Sequence, residues 1–323
     1  MNQRENFYAM IRGEKPEFIT ATGMYNKMCL MPLDPESPQF FGGTDGFGVN
    51  WVVTPTGAIP EPGKYVLEDI KDWKKYVKFP DIDAVDYKAM AEQELAGYNR
   101  DELVLTVPGA VVGFFTRLVA LMGFENALIS LVCDPESCHE FGEAFAEFEI
   151  KRLNKIIDAY QPDLIWYGDD VAHARGLFMS PETYFNVIRP YTKKIIDAAT
   201  SRNVIVGYHC CGKCEDIVGD FIELGCKIWS SAQIMNDIEG IQKKYGNRLI
   251  IEGGWDTMGR PGCIDATEKE ICDEVVRCVN TYGKYGNFII FPVMFTEKGN
   301  SLIIGDDPRV SAMIETLNRV GKL

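Results

Sequence analysis

Imidazole is scarce in this sequence. Its 323 residues include three histidines, His139, His173 and His209, and no Ser-His-Asp arrangement can be argued from so few. No apolar run approaches the roughly 18 residues of a membrane-spanning helix, so no membrane segment is expected. Basic charge is in deficit. Lys and Arg number 33 against 47 Asp and Glu, a net charge of −14 at pH 7. That balance disfavours nucleic acid, whose phosphates need a basic footprint, and mainly keeps the chain soluble. The opening Met1-Asn-Gln-Arg-Glu-Asn6 lacks the apolar core of a signal sequence, and ten cysteines lie scattered along the chain. Together these predict a reducing cytoplasm and no disulfide framework. Gly42-Gly43 and Gly253-Gly254 lack the spacing and the downstream Lys-Ser/Thr of a phosphate-binding loop. Internal repeats and low-complexity linkers are absent too.

What is present is alternation. Short apolar runs at Phe18–Met24, Leu103–Val107, Leu164–Gly168, Val204–Tyr208, Lys227–Ser231, Leu249–Glu252 and Asn287–Phe291 read as strands. Between several of them lie amphipathic stretches, Glu143–Ala159, Pro181–Thr200 and Ala266–Tyr285, with apolar residues near every third or fourth position. Ser180-Pro181-Glu182 reads as an N-cap, a proline at the first helical position and an acid in the first turn. Strands alternating with helices predict a parallel sheet, and their number favours an α/β fold closed into a (β/α)8 TIM barrel. One domain over residues 1–323 is expected. Residues 33–85, richer in Pro, Gly and Asp, form an N-terminal excursion before the barrel resumes.

The richest chemistry lies in Val204-Ile-Val-Gly-Tyr-His209-Cys210-Cys211-Gly212-Lys-Cys214. A β-branched run ends in one imidazole and three thiols, which is how a strand delivers soft metal ligands to its C-terminal end. His209-x-Cys211 is too tight for a zinc finger, so further ligands must come from distant loops. Barrel active sites sit at the C-terminal ends of the strands, and polar residues cluster there: Asp169 and Asp170, His209 and Cys211, Gln233, Glu252 and Asp256. Trp51, Trp166, Tyr167, Trp229 and Trp255 would fall near the mouth, where packing is the simplest role for each. Cys133-x4-Cys138-His139 resembles a ligand cluster, but Asp134-Pro135-Glu136 reads as a helix start and explains the segment without a metal. His173, four residues after Asp169, is placed equally well in the pocket or in solvent.

These residues resemble the uroporphyrinogen-decarboxylase-like proteins across nearly the whole chain. The resemblance is carried by Arg4-Glu-Asn-Phe-Tyr-Ala-Met-Ile-Arg-Gly-Glu-Lys-Pro16, Asp45-Gly-Phe-Gly-Val-Asn-Trp51, Gly168-Asp-Asp170, Phe178-Met-Ser-Pro-Glu182, His209-Cys-Cys-Gly212, Gln233 and Glu252-Gly-Gly-Trp-Asp256. It points to the branch of zinc-dependent, corrinoid-linked methyltransferases, in which His-x-Cys-Gly supplies two zinc ligands. The arginine-rich N-terminal loop that would clamp a porphyrinogen is missing, and an acidic chain suits a polycarboxylate poorly. The resemblance implies the same barrel, zinc on His209 and Cys211, a corrinoid carried by a partner protein, and a small-molecule methyl donor. Catalytic roles are expected for Asp169, Asp170 and Glu252, and substrate contacts for Gln233, Trp255 and Asp256. A homodimer is compatible with it.

One departure bears on the chemistry. Thiol-methylating members carry their third zinc ligand as a cysteine near the end of the last barrel strand. Here Phe291-Pro-Val-Met294-Phe-Thr-Glu297 has Met294 at that place, and a thioether is a poor zinc ligand. The third ligand is left among Glu297, Cys263, Cys214, Glu252 and an acid of the 169–170 turn. An oxygen donor in place of a thiolate makes a harder Lewis acid, suited to an ether or phenolate oxygen. That favours O-demethylation of a methoxylated aromatic substrate onto Co(I). Methyl transfer from a methylated corrinoid to a thiol, metal-free decarboxylation, and a non-catalytic barrel that binds a corrinoid protein or ligand stand as alternatives.

Overall fold

The computed structural model describes residues 1–54, 57–296, 299–301 and 307–323. Eight parallel segments form one curled sheet. In chain order they are β1 (Thr20–Ala21), β2 (Asn26–Met28), β3 (Val104–Val112), β4 (Leu164–Gly168), β5 (Ile205–His209), β6 (Ile228–Ala232), β7 (Ile250–Gly253) and β8 (Phe288–Ile290). Their spatial order runs β1-β8-β7-β6-β5-β4-β3-β2. The two ends of the sheet, β1 and β2, are only four residues apart in sequence, so the chain itself brings the edges back together. This is the (β/α)8-type barrel that the alternation predicts. All seven predicted runs contain strands. The eighth place arises because the first run breaks at Thr22 and the chain re-enters the sheet at Asn26, which periodicity did not reveal.

Period-two alternation divides the strand residues between two cores. Leu164, Trp166, Ile228, Ile250 and Ile289 point inward and pack with Tyr25, Val104 and Phe291. The helix α1 (Gln3–Ile11) closes this interior with Phe7 and Met10. The intervening residues Ile165, Tyr167, Val206, Tyr208 and Trp229 face outward against the helices.

Helix boundaries follow local chemistry. Asp134 caps α3 (Pro135–Tyr160) by accepting from the Ser137 amide, so the Cys133–His139 segment is a helix start, as its sequence suggests. His139 Nδ1 lies 2.7 Å from the Tyr191 hydroxyl. Ser180 caps the next predicted helix through the Thr183 amide. That helix widens into a π turn at Tyr184–Ile188 before continuing as Arg189–Thr200, because Pro190 has no N–H to donate. No single helix among the described residues is long and apolar enough to cross a membrane. The helix α2 (Phe114–Met122) and the helix Phe124–Cys133 reach that length only across a 118° bend.

The excursion has its own small architecture. Gly43–Thr44, Asn50–Thr54 and Gly57–Pro60 form an antiparallel sheet. Asp45 accepts from the amides of Phe47 and Val49 and from Trp51 Nε1, at 2.9–3.0 Å. It also pairs with Arg117 of α2 at 2.6 Å. Arg152 of α3 gathers Asp34 (2.7 Å), Glu36 (3.0 Å) and Glu149 (3.1 Å). All six charged side chains are buried. Four acids face two guanidinium groups, and burial pushes the Glu149 carboxyl well above its ordinary range, which relieves part of the surplus negative charge. This network ties the excursion to the helices around β3.

Candidate metal centre

Strand β5 ends at His209, and the turn that follows carries Cys211 over the barrel's C-terminal edge. His209 Nε2 and Cys211 Sγ lie 3.9 Å apart. The loop after β4 supplies the third group. Among the described residues, Asp170, His209 and Cys211 are the one set of three ligand-type side chains whose donor atoms all lie within 4.8 Å of one another. Asp170 is exposed, while the other two are half-buried. The Cys211 amide donates to Asp170 Oδ1 at 2.8 Å.

The set suits a zinc ion chemically: one imidazole nitrogen, one sulfur and one carboxylate oxygen, the three protein donors of a tetrahedral site whose fourth position takes water or substrate. Burial lowers the pKa of His209, although Asp170 opposes this, so the ring stays in its neutral, ligating form. Burial and the neighbouring Asp170 push the Cys211 thiol up. A metal ion would have to displace that proton, as metals do at thiol ligands.

The backbone around the pair is tightly fixed. Gly212 has φ +88°, and a Cβ there would lie 2.7 Å from the Ala172 carbonyl. Its amide donates to Gln233 Oε1 at 2.8 Å. Asn236 donates to the Gly212 carbonyl (2.9 Å) and accepts from the Cys214 amide (2.9 Å). On β6 a bulge between Ser230 and Ala232 puts Ser231 in the left-handed region, φ 62°. That conformation costs on the order of 1–3 kcal/mol for a non-glycine residue, and it sets the Ser231 hydroxyl 3.4 Å from Cys211 Sγ.

The adjacent acids Asp169 and Asp170 divide their work. Asp169 is fully buried and accepts from the amides of Phe115 (3.3 Å) and Thr116 (2.8 Å) at the start of α2, and from the Thr116 hydroxyl (2.9 Å). Burial raises its pKa to about 7 against those donors. Gly113 makes this possible, since a Cβ there would fall 2.2 Å from Asp169 Cβ. Glu252, inside the barrel, accepts from Thr22 Oγ1 (2.5 Å) and the Tyr25 hydroxyl (3.0 Å).

The other expected site residues are placed differently. Cys214 is buried with its sulfur 3.3 Å from Cys210 Sγ and turned onto the carbonyls of residues 210–212. Cys263 Sγ lies on the Gly259 carbonyl, and neither thiol joins the triad. Glu297 lies outside the described residues. Met294 is buried. The Asp256 carboxylate accepts from Met258 and Gly259 amides within its own turn, and Trp255 is buried. Of the five aromatics expected near the mouth, Trp166 stacks on the His209 ring (5.4 Å, 27°). Trp229 and Trp51 spend their indole N–H on the Cys210 carbonyl and Asp45. His173 is exposed on a two-residue strand against Gly176. Sequence reasoning missed Ser230, Ser231, Asn236 and Thr116. Ser230 alone was accessible from it, since period two places it on the inward face with Ile228.

The sequence profile of uroporphyrinogen decarboxylase (URO-D) matches residues 44–292, and the chain belongs to that family. No curated protein gives a significant sequence match. Among solved structures, a methyltransferase from Methanosarcina mazei superposes with a TM-score of 0.71 at 13% identity, covering 99% of both chains. A 3-keto-L-gulonate-6-phosphate decarboxylase from Vibrio cholerae O1 biovar El Tor str. N16961 gives a TM-score of 0.33 at 9% identity, covering 72% of this chain and 79% of that one. The first likeness establishes a shared fold; the second is too low to carry an argument.

Proposed function

We propose that this protein is a zinc-dependent methyltransferase that moves a methyl group from a methoxylated, aromatic substrate to the Co(I) corrinoid of a partner protein. The observation that carries this reading is the donor triad Asp170, His209 and Cys211 at the C-terminal edge of the barrel. The full-length likeness to the Methanosarcina mazei methyltransferase supports it at the level of fold. Asp170 is the third ligand in this reading.

A zinc ion held there would supply Lewis acidity toward the ether oxygen of the donor. His209 and Cys211 hold the neutral and anionic positions of the site, and Asp170 supplies the oxygen donor. With one thiolate and one carboxylate, the donor set is harder than a site with two thiolates, which favours an oxygen leaving group over a thiol acceptor. Trp166 and Phe291 flank His209 with apolar surface on the barrel side, keeping water from the inner face of the ring. Asp169 and Gln233 act one step back, fixing the 169–170 turn and the Gly212 amide. In the overall transfer the methyl–oxygen bond breaks, a methyl–cobalt bond forms with the electron pair of Co(I), and the aryloxide takes a proton from solvent.

The test is anaerobic incubation of zinc-loaded protein with a methoxybenzoate series and free Co(I) cobalamin as the acceptor. The expected result is phenol release together with the spectral change from Co(I) to methyl-Co(III), both abolished in Cys211→Ser. Absence of both across the series, or equal turnover in metal-stripped protein, contradicts the proposal. Metal-independent release of CO2 with the methoxy group retained would favour decarboxylase-like chemistry instead.

A further inference from the structure

Behind His209 lies a line of polar groups that crosses the otherwise apolar barrel interior. His209 Nδ1 is 3.3 Å from Ser230 Oγ. Ser230 stands in register with Glu252 on the adjacent strand, and its hydroxyl interacts with that carboxylate. Glu252 Oε1 already accepts from Thr22 Oγ1 and the Tyr25 hydroxyl. Glu252 Oε2 is buried and unpartnered, and the Ser230 hydroxyl, across the strand pair, is the neighbouring donor that can turn to it. Glu252 and Ser230 are completely buried.

An isolated buried carboxyl in an apolar barrel is costly, and packing does not require one here. The direction of the hydrogen bonds gives it a use. Thr22 and Tyr25 both donate to Oε1, which favours the ionised carboxylate against the burial that opposes it, and with Oε2 ionised Ser230 turns its proton toward it. The Ser230 oxygen then faces His209 with lone pairs only. A neutral imidazole in that position places its proton on Nδ1 and leaves Nε2 bare, and Nε2 is the nitrogen 3.9 Å from Cys211 Sγ.

We propose that Ser230 and Glu252 are positioning residues that lock His209 in the Nδ1–H tautomer, presenting Nε2 to the triad. Thr22 and Tyr25, at the break between β1 and β2, hold the far end of the chain. The Trp166 ring, stacked on the imidazole, fixes the remaining rotation. The inference deepens the metal-site reading and rests on it for its purpose, while its direct test needs no metal. It also gives Glu252, for which the sequence suggests a catalytic role, the part of an anchor that touches neither substrate nor metal.

With only three histidines in the chain, side-chain 15N NMR of the metal-free protein can resolve each ring, with His139→Gln and His173→Gln providing assignments. The expected His209 signature is a protonated Nδ1 and a bare Nε2, the less common tautomer of a free histidine side chain. Ser230→Ala and Glu252→Gln should convert it to a mixture or to Nε2–H, and Ser230→Thr, which keeps the hydroxyl, should restore it. A protonated Nε2 in the wild type, or an unchanged Nδ1–H signal in Ser230→Ala, overturns the proposal. Amide spectra of the same samples report folding, and a variant that unfolds is replaced by Ser230→Cys, with the same expectation of tautomer loss. In zinc titrations, Ser230→Ala should bind about 10–100-fold more weakly. Undiminished Nδ1–H protonation in a wild type that binds no zinc would defeat the metal reading while leaving the positioning relation standing.

Discussion

The Cys211 amide donates to the Asp170 carboxylate at 2.8 Å, so the residue that offers the thiol also positions the acid beside it. Two loops from neighbouring strands are thereby locked into one donor set. If this bond orients the ligand, changing either partner should disturb the other.

Asp169 predicts a pH dependence of stability. Its folded-state pKa is raised from 3.8 to about 7, chiefly by burial. Between those values the folded state binds more protons than the unfolded one, so the group's contribution to stability falls as pH rises. The loss is complete above pH about 7 and amounts to on the order of a few kcal/mol. Thermal melts of wild type and Asp169→Asn across that window should show a steeper decline in the wild type. Parallel curves would contradict the assignment.

The buried charge network predicts a large asymmetric cost. Arg152→Met leaves Asp34 without its guanidinium partner and Glu36 with Arg117 alone, and should destabilise by about 3–5 kcal/mol. Urea unfolding measures it directly, and a change under about 1 kcal/mol would mean that the network does not bind the excursion to the barrel.

Gly212→Ala tests the backbone beneath the site. A Cβ at φ +88° would press within 2.7 Å of the Ala172 backbone, and neither side is a flexible chain end. We expect a loss of about 1–3 kcal/mol in stability, with weakened zinc binding even at temperatures where the variant stays folded. Unaltered zinc affinity would show that the turn can shift without moving Cys211.

The barrel was legible because parallel strands buried on both faces are continuous apolar runs, and seven of them stand out. The break at Thr22–Tyr25 was not, since it depends on how the two sheet edges meet. His209 and Cys211 could be read locally, because one strand end carries both. Asp170 was separable from Asp169 only in three dimensions: adjacent residues at a strand end point opposite ways, one into a helix N-terminus and the other toward His209 and Cys211. Gln233 and Asp256 were expected at the substrate, where polar residues after strands often lie. In the structure Gln233 accepts from the Gly212 amide, and Asp256 closes its own turn. Composition cannot distinguish a polar group that meets a ligand from one that satisfies the backbone.

Metal stoichiometry tests the central claim most directly. Elemental mass spectrometry on purified wild type, Cys211→Ser and Asp170→Asn, each equilibrated with zinc and desalted, should find about one zinc per chain in the wild type. Cys211→Ser should lose it, and Asp170→Asn should retain it only partially. A wild type that remains metal-free after equilibration, or a Cys211→Ser variant that keeps a full equivalent, would contradict the account.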